Sequence, residues 1–372
     1  MSTSHSLYVH VPFCDVRCPY CHFTCFVNRD PELPDRWARA VVREWELHRE
    51  QGRAERVASV YFGGGTPSAL PADARDRVAT WLVDDVVPRL DDDAEVTVEV
   101  NPESAWPESL RPWVEAGANR FSVGVQSMDP AVLDFLGRLN TPRSNLRALD
   151  LACSLVENVS ADLIVGTPPD DRRRLAASIE AITALPIVHV SAYLLEIHRA
   201  TRFGRDVAAG RWQPTPDDEQ ADRYLEMVDR LAARGLEAYE LSNFALVAFE
   251  ARHNARYWER QPYLGLGPSA HSYEPEHRWS NLRDTRAWCE AIEAGRLDTE
   301  VDERLDRTAV RRERILLGLR QREGVPAAWL ADRERWCHEA ARSGLLARRG
   351  DRWTATPTGW LVLDQIVAQL TD

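Results

Sequence analysis

The chain alternates short β-rich runs with stretches of helical periodicity, and this alternation restricts the folds open to it more than any other feature. Such a pattern predicts a parallel sheet with right-handed crossovers, in which the helices pack against the sheet. We therefore expect an α/β fold built on six βα units that form a complete or a partial TIM-like barrel. The predicted strands are 7–11, 57–62, 95–100, 120–125, 161–165 and 188–193, and the first helices are expected at 35–50 and 71–90.

Polar or glycine residues directly follow these predicted strands. The carboxyl ends of parallel strands meet at one edge of a barrel, where active sites collect. The residues expected at this edge are Cys14, 63–66, Asn101, Gln126, Gly166 and Glu196. The sequence thus predicts a functional site at the carboxyl end of the barrel.

A proline-containing segment at 211–218 predicts a domain boundary. We expect the barrel with its cysteine loop at 1–215 and a smaller, mostly helical domain at 216–372. Within that domain, 216–300 is expected to pack on the barrel.

The last part of the chain, 301–372, is predicted to form a winged-helix-like unit. Its helices are expected at 309–322, 327–342 and 358–370, with a hairpin at 345–354. Winged helices often bind DNA, and the alternative is a packing domain. The acidic charge of the chain favours the packing role.

Charge and composition exclude several classes of function. The 372 residues include 58 acidic and 46 basic ones, so the net charge of −12 argues against nucleic acid as a partner. All the basic residues are arginine, which excludes a Walker lysine and a pyridoxal Schiff base. Because the sequence shows no membrane-spanning apolar run and no secretory signal, we expect a cytoplasmic protein in a reducing compartment.

Four of the cysteines are clustered just after the first predicted strand. Cys14, Cys18 and Cys21 have a Cys-x3-Cys-x2-Cys spacing, and Cys25 follows. Clustered thiols in a reducing compartment indicate a metal site, and three thiolates can hold three irons of a 4Fe-4S cluster while leaving one iron open. A zinc site with His22 or Cys25 as fourth ligand is the alternative.

This cysteine motif after a first strand resembles that of the radical S-adenosylmethionine enzymes. The resemblance implies that the barrel is the partial (β/α)6, TIM-like barrel of the radical S-adenosylmethionine enzymes. It also implies that S-adenosylmethionine binds to the open iron, where its reductive cleavage yields a 5′-deoxyadenosyl radical.

Further blocks between about residues 7 and 275 resemble the coproporphyrinogen dehydrogenase-like (HemN/HemW) branch of that superfamily, among them Tyr-Phe-Gly-Gly-Gly-Thr-Pro at 61–67 and Ser-Val-Gly-Val-Gln-Ser at 122–127. The resemblance implies a set of S-adenosylmethionine contacts. These are Tyr8, Tyr20, Gly64, Gly65, Thr66, Glu99, Gln126, Arg138 and Asp162. Taken singly, Tyr8 could instead be core packing, Glu99 or Asp162 a helix cap, and Arg138 a surface charge.

Three later blocks resemble the heme-chaperone (HemW) members of the branch: 239–244, 253–258 and 263–272. The His-Asn-x-x-Tyr-Trp block implies that His253 binds heme, with Tyr257 and Trp258 offering flat apolar surface. A structural histidine packed among aromatic rings is the alternative.

Two enzymes of the branch are alternatives to a chaperone. The oxygen-independent coproporphyrinogen III dehydrogenase, which carries out an oxidative decarboxylation, has a Cys-x-Cys pair where this chain has Phe23, and an N-terminal extension before the first strand that we do not find. A radical methyltransferase of the branch is not excluded by motif. The chaperones of the branch need no fourth cysteine near position 25, so Cys25 is interpreted as a bystander.

The resemblance therefore implies a heme chaperone without coproporphyrinogen oxidase activity. The expected cofactors are a 4Fe-4S cluster on Cys14, Cys18 and Cys21, S-adenosylmethionine, and heme at His253. The expected partner is a client heme protein of respiratory type. We expect no membrane-spanning segment in this chain. Peripheral membrane contact and the choice between monomer and homodimer stay open.

Overall fold

The computed structural model describes residues 4–371 and places the six predicted strands side by side in one parallel sheet. Together with two short strands of the cysteine loop, they are β1 (His5–Val11), β2 (Phe13–Cys14), β3 (Phe26–Val27), β4 (Val57–Gly64), β5 (Leu90–Val100), β6 (Arg120–Gln126), β7 (Asn158–Val165) and β8 (His189–Leu194). β1 and β4 to β8 are neighbours in chain order. The predicted partial (β/α)6 barrel is confirmed.

Helices follow the strands of the barrel: α1 (Leu33–Glu50), α2 (Ala72–Trp81), α3 (Pro107–Glu115), α4 (Pro130–Phe135), α5 (Pro142–Leu155), α6 (Arg172–Thr183), α7 (Arg202–Ala208) and α8 (Asp217–Ala232). The helix predicted at 71–90 is wrong in its second half. α2 ends at Trp81 and gives way to a π turn and a 3-10 turn before β5 begins. Pro88 lies in the 3-10 turn, and its missing N–H prevents an α-helix from continuing.

Each barrel strand has an apolar outer face and a polar inner face. In β4, Phe62 packs against Trp113 of α3 with ring centroids 4.8 Å apart, whereas Ser59 donates inward to the Ser6 hydroxyl of β1 at 2.9 Å. Alternate residues of a strand point to opposite faces, so one strand supplies both the core and the barrel interior. The inner face is therefore where polar site residues collect.

The segment after α8 extends the same sheet at both edges. Its elements are β9 (Glu237–Ala238), β10 (Asn243–Ala245), α9 (Arg252–Trp258), β11 (Tyr263–Leu266), β12 (His271–Glu274), β13 (His277–Asn281), α10 (Thr285–Glu293) and β14 (Thr299–Arg304). β11 lies parallel to β1, and β12 to β14 continue from it antiparallel. At the other edge β10 pairs antiparallel with β8 and with β9, which completes a twelve-stranded sheet. The domain boundary near residue 215 stays a prediction.

The C-terminal unit contains α11 (Arg307–Arg320), β15 (Val325–Pro326), α12 (Glu334–Arg342), β16 (Leu346–Arg349), β17 (Arg352–Ala355), α13 (Pro357–Trp360) and α14 (Leu363–Thr371). Its small sheet has the order β15–β17–β16. The helix predicted at 327–342 begins as a 3-10 segment that is kinked at Leu330, and the one at 358–370 is divided into α13 and α14. The helix, helix, hairpin and helix order is that of the predicted winged-helix-like unit. No helix among residues 4–371 has the length and apolar character needed to cross a membrane.

Candidate functional site

The carboxyl end of the barrel opens into a cavity of about 610 Å³, which we call the cysteine cavity. Cys14 ends β2, and Cys18 and Cys21 lie in the loop between β2 and β3. This loop is held against the barrel because the N–H groups of Gly65 and Thr66 donate to the carbonyls of Val11 and Phe13, each at 2.7 Å. All three predicted cluster cysteines line the cavity.

Each of these thiols has a different polar neighbour. The Thr66 hydroxyl donates to Cys14 Sγ at 3.5 Å, Arg138 Nη1 donates to Cys18 Sγ at 3.9 Å, and Cys21 Sγ lies 3.7 Å from Cys25 Sγ. Among residues 4–371, no group of three or more His, Cys, Asp or Glu side chains converges closely enough to hold a single metal ion.

In a 4Fe-4S cluster, by contrast, each thiolate binds a separate iron, so the sulfurs stand apart around a shared space. The three soft donors around one cavity fit that group. A single zinc ion would need four ligands converging on one point, and the described residues do not provide them.

Cys25 lies buried beside the cysteine loop, within hydrogen-bond distance of Cys21. Hydrogen bonds to Cys14 and Cys21, together with burial, raise the pKa of Cys25 far above its ordinary value. The same hydrogen bonds lower the pKa of Cys14 and bring that of Cys21 to about 6. Burial raises the pKa of Cys18, although Arg138 opposes the shift. Cys25 therefore stays a thiol while Cys14 and Cys21 favour the thiolate form that binds iron.

Gly64 and Gly65 are required by the protein's own packing. A Cβ at Gly64, where φ is +102°, would lie 2.4 Å from the His10 ring, and a Cβ at Gly65 would lie 2.5 Å from the carbonyl oxygen of Phe13. Neither position has room for a side chain. The absence of Cβ atoms lets the β4 turn approach the cysteine loop closely.

Two partly buried carboxyl groups line the cavity. Glu99 accepts hydrogen bonds from the Tyr61 hydroxyl at 2.8 Å and from the Gly64 N–H at 3.0 Å. Asp162 accepts from the Ser122 hydroxyl at 2.8 Å. Burial raises the pKa of Glu99 to about 7 and that of Asp162 to about 6, because it disfavours the charged form. A cationic ligand in the cavity would lower both pKa values again and favour the ionised carboxylates.

Arg138 connects two of the cysteines through hydrogen bonds. Its Nη2 atom donates to Asn101 Oδ1 at 3.1 Å, and Asn101 Nδ2 donates to the Thr66 hydroxyl at 3.0 Å. Since Thr66 also donates to Cys14 and Arg138 to Cys18, an unbroken hydrogen-bonded path runs between these cysteines. Tyr20 and Gln126 also line the cavity, the latter at the end of β6 with φ +65°.

Tyr8 is the one predicted S-adenosylmethionine contact that the structure does not bring into the cysteine cavity. It lines a second cavity on the other side of the cysteine loop, where its hydroxyl lies 3.1 Å from His10 Nδ1. Its ring stacks near Tyr61 with centroids 6.1 Å apart.

His253 lies inside the barrel, in contact with neither cavity, and is only 1% exposed. Its Nδ1 atom lies 2.9 Å from the Ser59 hydroxyl and its Nε2 atom 2.7 Å from the Tyr257 hydroxyl. Because Ser59 donates its proton to Ser6, Nδ1 is the donor to Ser59, and the Nε2 lone pair accepts from Tyr257. Iron ligation by His253 would need this last hydrogen bond to break.

Three lining residues that the motifs did not single out belong to the cysteine cavity as well. Arg120 is a fully buried cation at the start of β6, Asn254 follows His253 in α9, and Trp360 comes from the C-terminal unit. A charged residue at the start of an otherwise apolar strand could have signalled Arg120. Nothing in the sequence pattern indicates that the last helices reach the cavity.

Comparison with protein families matches residues 8–182 to the radical SAM superfamily and residues 305–362 to the HemN C-terminal domain. Among curated proteins, the chain is 38% identical to a heme chaperone HemW of Mycobacterium tuberculosis, over 98% of this chain and 94% of that protein. It is 30% identical to a heme chaperone HemW of Bacillus subtilis, over 88% of this chain and 86% of that one.

One solved structure is similar over the whole fold. It is the coproporphyrinogen III oxidase HemN of Escherichia coli, described as a radical SAM enzyme, with a TM-score of 0.83. The match covers 99% of this chain and 90% of that one at 21% identity. At that identity the likeness concerns the fold alone.

Proposed function

The chain belongs to the HemW family of radical S-adenosylmethionine proteins, and from this we propose that it is a heme chaperone. In this proposal Cys14, Cys18 and Cys21 hold a 4Fe-4S cluster, and S-adenosylmethionine binds beside it in the cysteine cavity. Heme is the cargo, which passes to a client heme protein of respiratory type in the cytoplasm.

One observation carries the proposal. The three cysteine thiols and all the predicted S-adenosylmethionine contacts except Tyr8 line a single cavity, although they come from distant parts of the chain. That the cargo is heme is inferred from the relatives, which match over most of their length and are named heme chaperones. A cavity of this kind in a chain of this family supports a chaperone that keeps the radical S-adenosylmethionine site.

The residues of the cavity have separate tasks in this proposal. When bound, the cluster supplies an electron and an iron without a cysteine ligand, to which S-adenosylmethionine can bind. The carboxyl groups of Glu99 and Asp162 offer negative charge to the cationic ligand. Arg138 offsets the negative charge of the thiolates and positions Asn101.

Phe23 supports a chaperone over the coproporphyrinogen III dehydrogenase, which has a cysteine at this place in its Cys-x-Cys pair. Heme ligation by His253 stays a prediction. In the structure the Nε2 atom of His253 is hydrogen-bonded to the Tyr257 hydroxyl, and heme iron would have to displace this hydroxyl.

Anaerobic reconstitution with iron and sulfide tests the proposal, followed by three assays on the same preparation. These are S-adenosylmethionine binding by calorimetry, heme titration by absorbance, and transfer of bound heme to an apo-heme protein. We expect about four irons per chain, one S-adenosylmethionine, bound heme and its transfer. A parallel incubation with coproporphyrinogen III, S-adenosylmethionine and a reductant tests the alternative, and formation of protoporphyrinogen there would make the protein a dehydrogenase.

The matched control for the cluster is Cys153→Ser, since this cysteine is half-buried on α5 and lines neither cavity. It should reconstitute like the unsubstituted chain. Protein that reconstitutes its cluster but neither binds heme nor passes it to the acceptor would refute the chaperone function.

A further inference from the structure

The side chain of His253 is held in one position inside the barrel. Glu95 accepts hydrogen bonds from the backbone N–H groups of Arg252 and His253, at 3.0 and 3.1 Å, and so fixes the start of α9. The imidazole lies between two aromatic rings, with its centroid 5.1 Å from that of Tyr61 and 4.9 Å from that of Tyr257. With the backbone and the ring faces fixed, the hydrogen bonds of the two ring nitrogens decide which nitrogen carries the proton.

Ser59 of β4 is the partner of His253 Nδ1, at 2.9 Å. Its own proton is used in a hydrogen bond to the Ser6 hydroxyl oxygen on β1, also at 2.9 Å. That oxygen accepts a second hydrogen bond, from Arg256 Nε at 2.7 Å, and a guanidinium group can only donate. Both serines are fully buried. Ser59 is therefore set to accept a proton from His253 rather than to donate one.

This direction of hydrogen bonding assigns the tautomer of His253. The proton is on Nδ1, and the lone pair is on Nε2, which lies 2.7 Å from the Tyr257 hydroxyl. A neutral imidazole binds a metal through the nitrogen that carries the lone pair. Nε2 is then the nitrogen available to an iron atom once the Tyr257 hydroxyl moves away.

We propose that Ser59 is a positioning residue for heme binding, which accepts the Nδ1 proton of His253 and thereby keeps the Nε2 lone pair for the heme iron. This inference rests on the proposed chaperone function and on heme ligation by His253. On binding, an iron–Nε2 bond forms and the hydrogen bond from Tyr257 to Nε2 breaks, while the Nδ1 proton stays between His253 and Ser59. A histidine ligand that donates from its other nitrogen is better oriented and more basic, so this hydrogen bond strengthens the bond to iron.

The barrel contains a second group of the same three residue types, which supplies a matched control. Ser160 Oγ lies 2.8 Å from His189 Nδ1, and His189 Nε2 lies 2.8 Å from the Tyr239 hydroxyl. His189 and Ser160 are fully buried, as Ser59 is. Ser160→Ala therefore removes a comparable buried hydrogen bond from a histidine that the inference does not involve.

Heme titration of the full, reconstituted chain tests the role of Ser59. We expect Ser59→Ala to bind heme about tenfold more weakly or worse, which is the usual effect of removing the partner of a metal-binding histidine. Resonance Raman spectroscopy of the ferrous complex should show a lower iron–histidine stretching frequency in this variant, because the ring is a weaker donor. Ser59→Thr keeps the hydroxyl group and should retain both properties, and Ser160→Ala should change neither.

The heme-free chain tests the tautomer directly. Nitrogen NMR of the histidine-labelled protein should show the proton of His253 on Nδ1, and Ser59→Ala should move it to Nε2 in part or in full. The signal is identified by its loss in His253→Gln. Circular dichroism and thermal unfolding check that each variant is folded.

An unchanged tautomer, heme affinity and stretching frequency in Ser59→Ala would overturn the inference, as would equal changes in Ser160→Ala. A heme-binding chain in which His253→Ala binds heme as tightly as the unsubstituted protein would overturn it as well, and would leave the chaperone function standing. If the unsubstituted chain binds no heme, the chaperone function itself fails, so the two failures are distinguishable.

Discussion

Arg138 Nη1 lies 3.9 Å from Cys18 Sγ, although 120 residues separate the two in the chain. The same guanidinium reaches Asn101 and the Gly124 carbonyl, so it is held on three sides within the cysteine cavity. A cation fixed beside one cysteine, and connected to another through Asn101 and Thr66, is the feature that makes the cavity suited to a negatively charged thiolate cluster.

Arg138→Gln should lower the reduction potential of the reconstituted cluster, because removal of a nearby positive charge disfavours the added electron. It should also weaken S-adenosylmethionine binding about tenfold or more, since a charge-assisted hydrogen bond contributes about 1.5–3 kcal/mol. Potentiometry and calorimetry measure the two effects. Arg143→Gln, at an exposed position on α5, is the control and should change neither quantity.

Cys25→Ser should retain about four irons per chain, whereas Cys21→Ser should lose the cluster. Cys25 Sγ lies 3.7 Å from Cys21 Sγ, and a serine hydroxyl can replace the Cys25 thiol as a hydrogen-bond partner of Cys21. Iron and sulfide analysis after anaerobic reconstitution checks this prediction. Equal loss of iron in both variants would mean that Cys25 is a ligand.

The affinity for S-adenosylmethionine should rise with pH over about 6 to 8. Burial raises the pKa of Glu99 to about 7, so its carboxyl group is neutral at lower pH and anionic above. The sulfonium ligand favours the anion, and binding therefore releases a proton. Glu99→Gln should weaken binding at high pH and flatten the profile. Calorimetry in buffers of different ionisation enthalpy measures the released proton, and an unchanged profile in the variant would contradict the role of Glu99.

The raised pKa of Glu99 has the opposite effect on the stability of the ligand-free protein, which decreases as the pH rises. A carboxyl group whose folded-state pKa lies above its unfolded value binds more protons when folded. Its contribution to the free energy of unfolding therefore decreases as the pH rises from about 4.5 to 7.

Glu44→Ala should lower the free energy of unfolding by about 3 kcal/mol. Glu44 on α1 is fully buried and accepts hydrogen bonds from the Gly267 N–H, the Asn281 amide and the Trp288 indole, at 2.7, 2.7 and 3.2 Å. Its removal takes the acceptor from the buried Gly267 N–H and the Trp288 indole N–H, whereas the Asn281 amide keeps its hydrogen bond to the Gly267 carbonyl at 2.8 Å. Urea unfolding measures the change. Glu46→Ala, two residues further along the same helix but exposed, should cost less than about 1 kcal/mol.

The strand ends show how far the barrel could be predicted. Cys14, Asn101 and Gln126 were expected at one edge because parallel strands align their carboxyl ends, and all three line the cysteine cavity. The parallel pairing of β11 with β1 was not expected. Its four residues, Tyr263–Leu266, include a glycine and are too few for a strand pattern to stand out.

Tyr8 and His253 show where prediction from motifs ends. Strand alternation puts Tyr8 on the inner face of β1. That face lies between the cysteine cavity and the second cavity, and Tyr8 lines the second one. The turn of α9 puts Asn254 in one cavity and Tyr257 in the other, with His253 buried between them against Ser59. One residue of offset along a helix changes the direction of a side chain by a large angle, and only the packing of α9 in the barrel sets that direction.

The sequence by itself determined the α/β barrel, the edge at which the site lies, and the cysteine loop that belongs there. These features depend on local periodicity and on residues close together in the chain. Only the tertiary structure decided that Arg138 lies beside Cys18, that Trp360 reaches the cysteine cavity, and that a second cavity forms between the cysteine loop, β12 and α11. Each of these is a contact between segments far apart in sequence, which depends on how whole elements pack and leaves no periodic pattern in either segment.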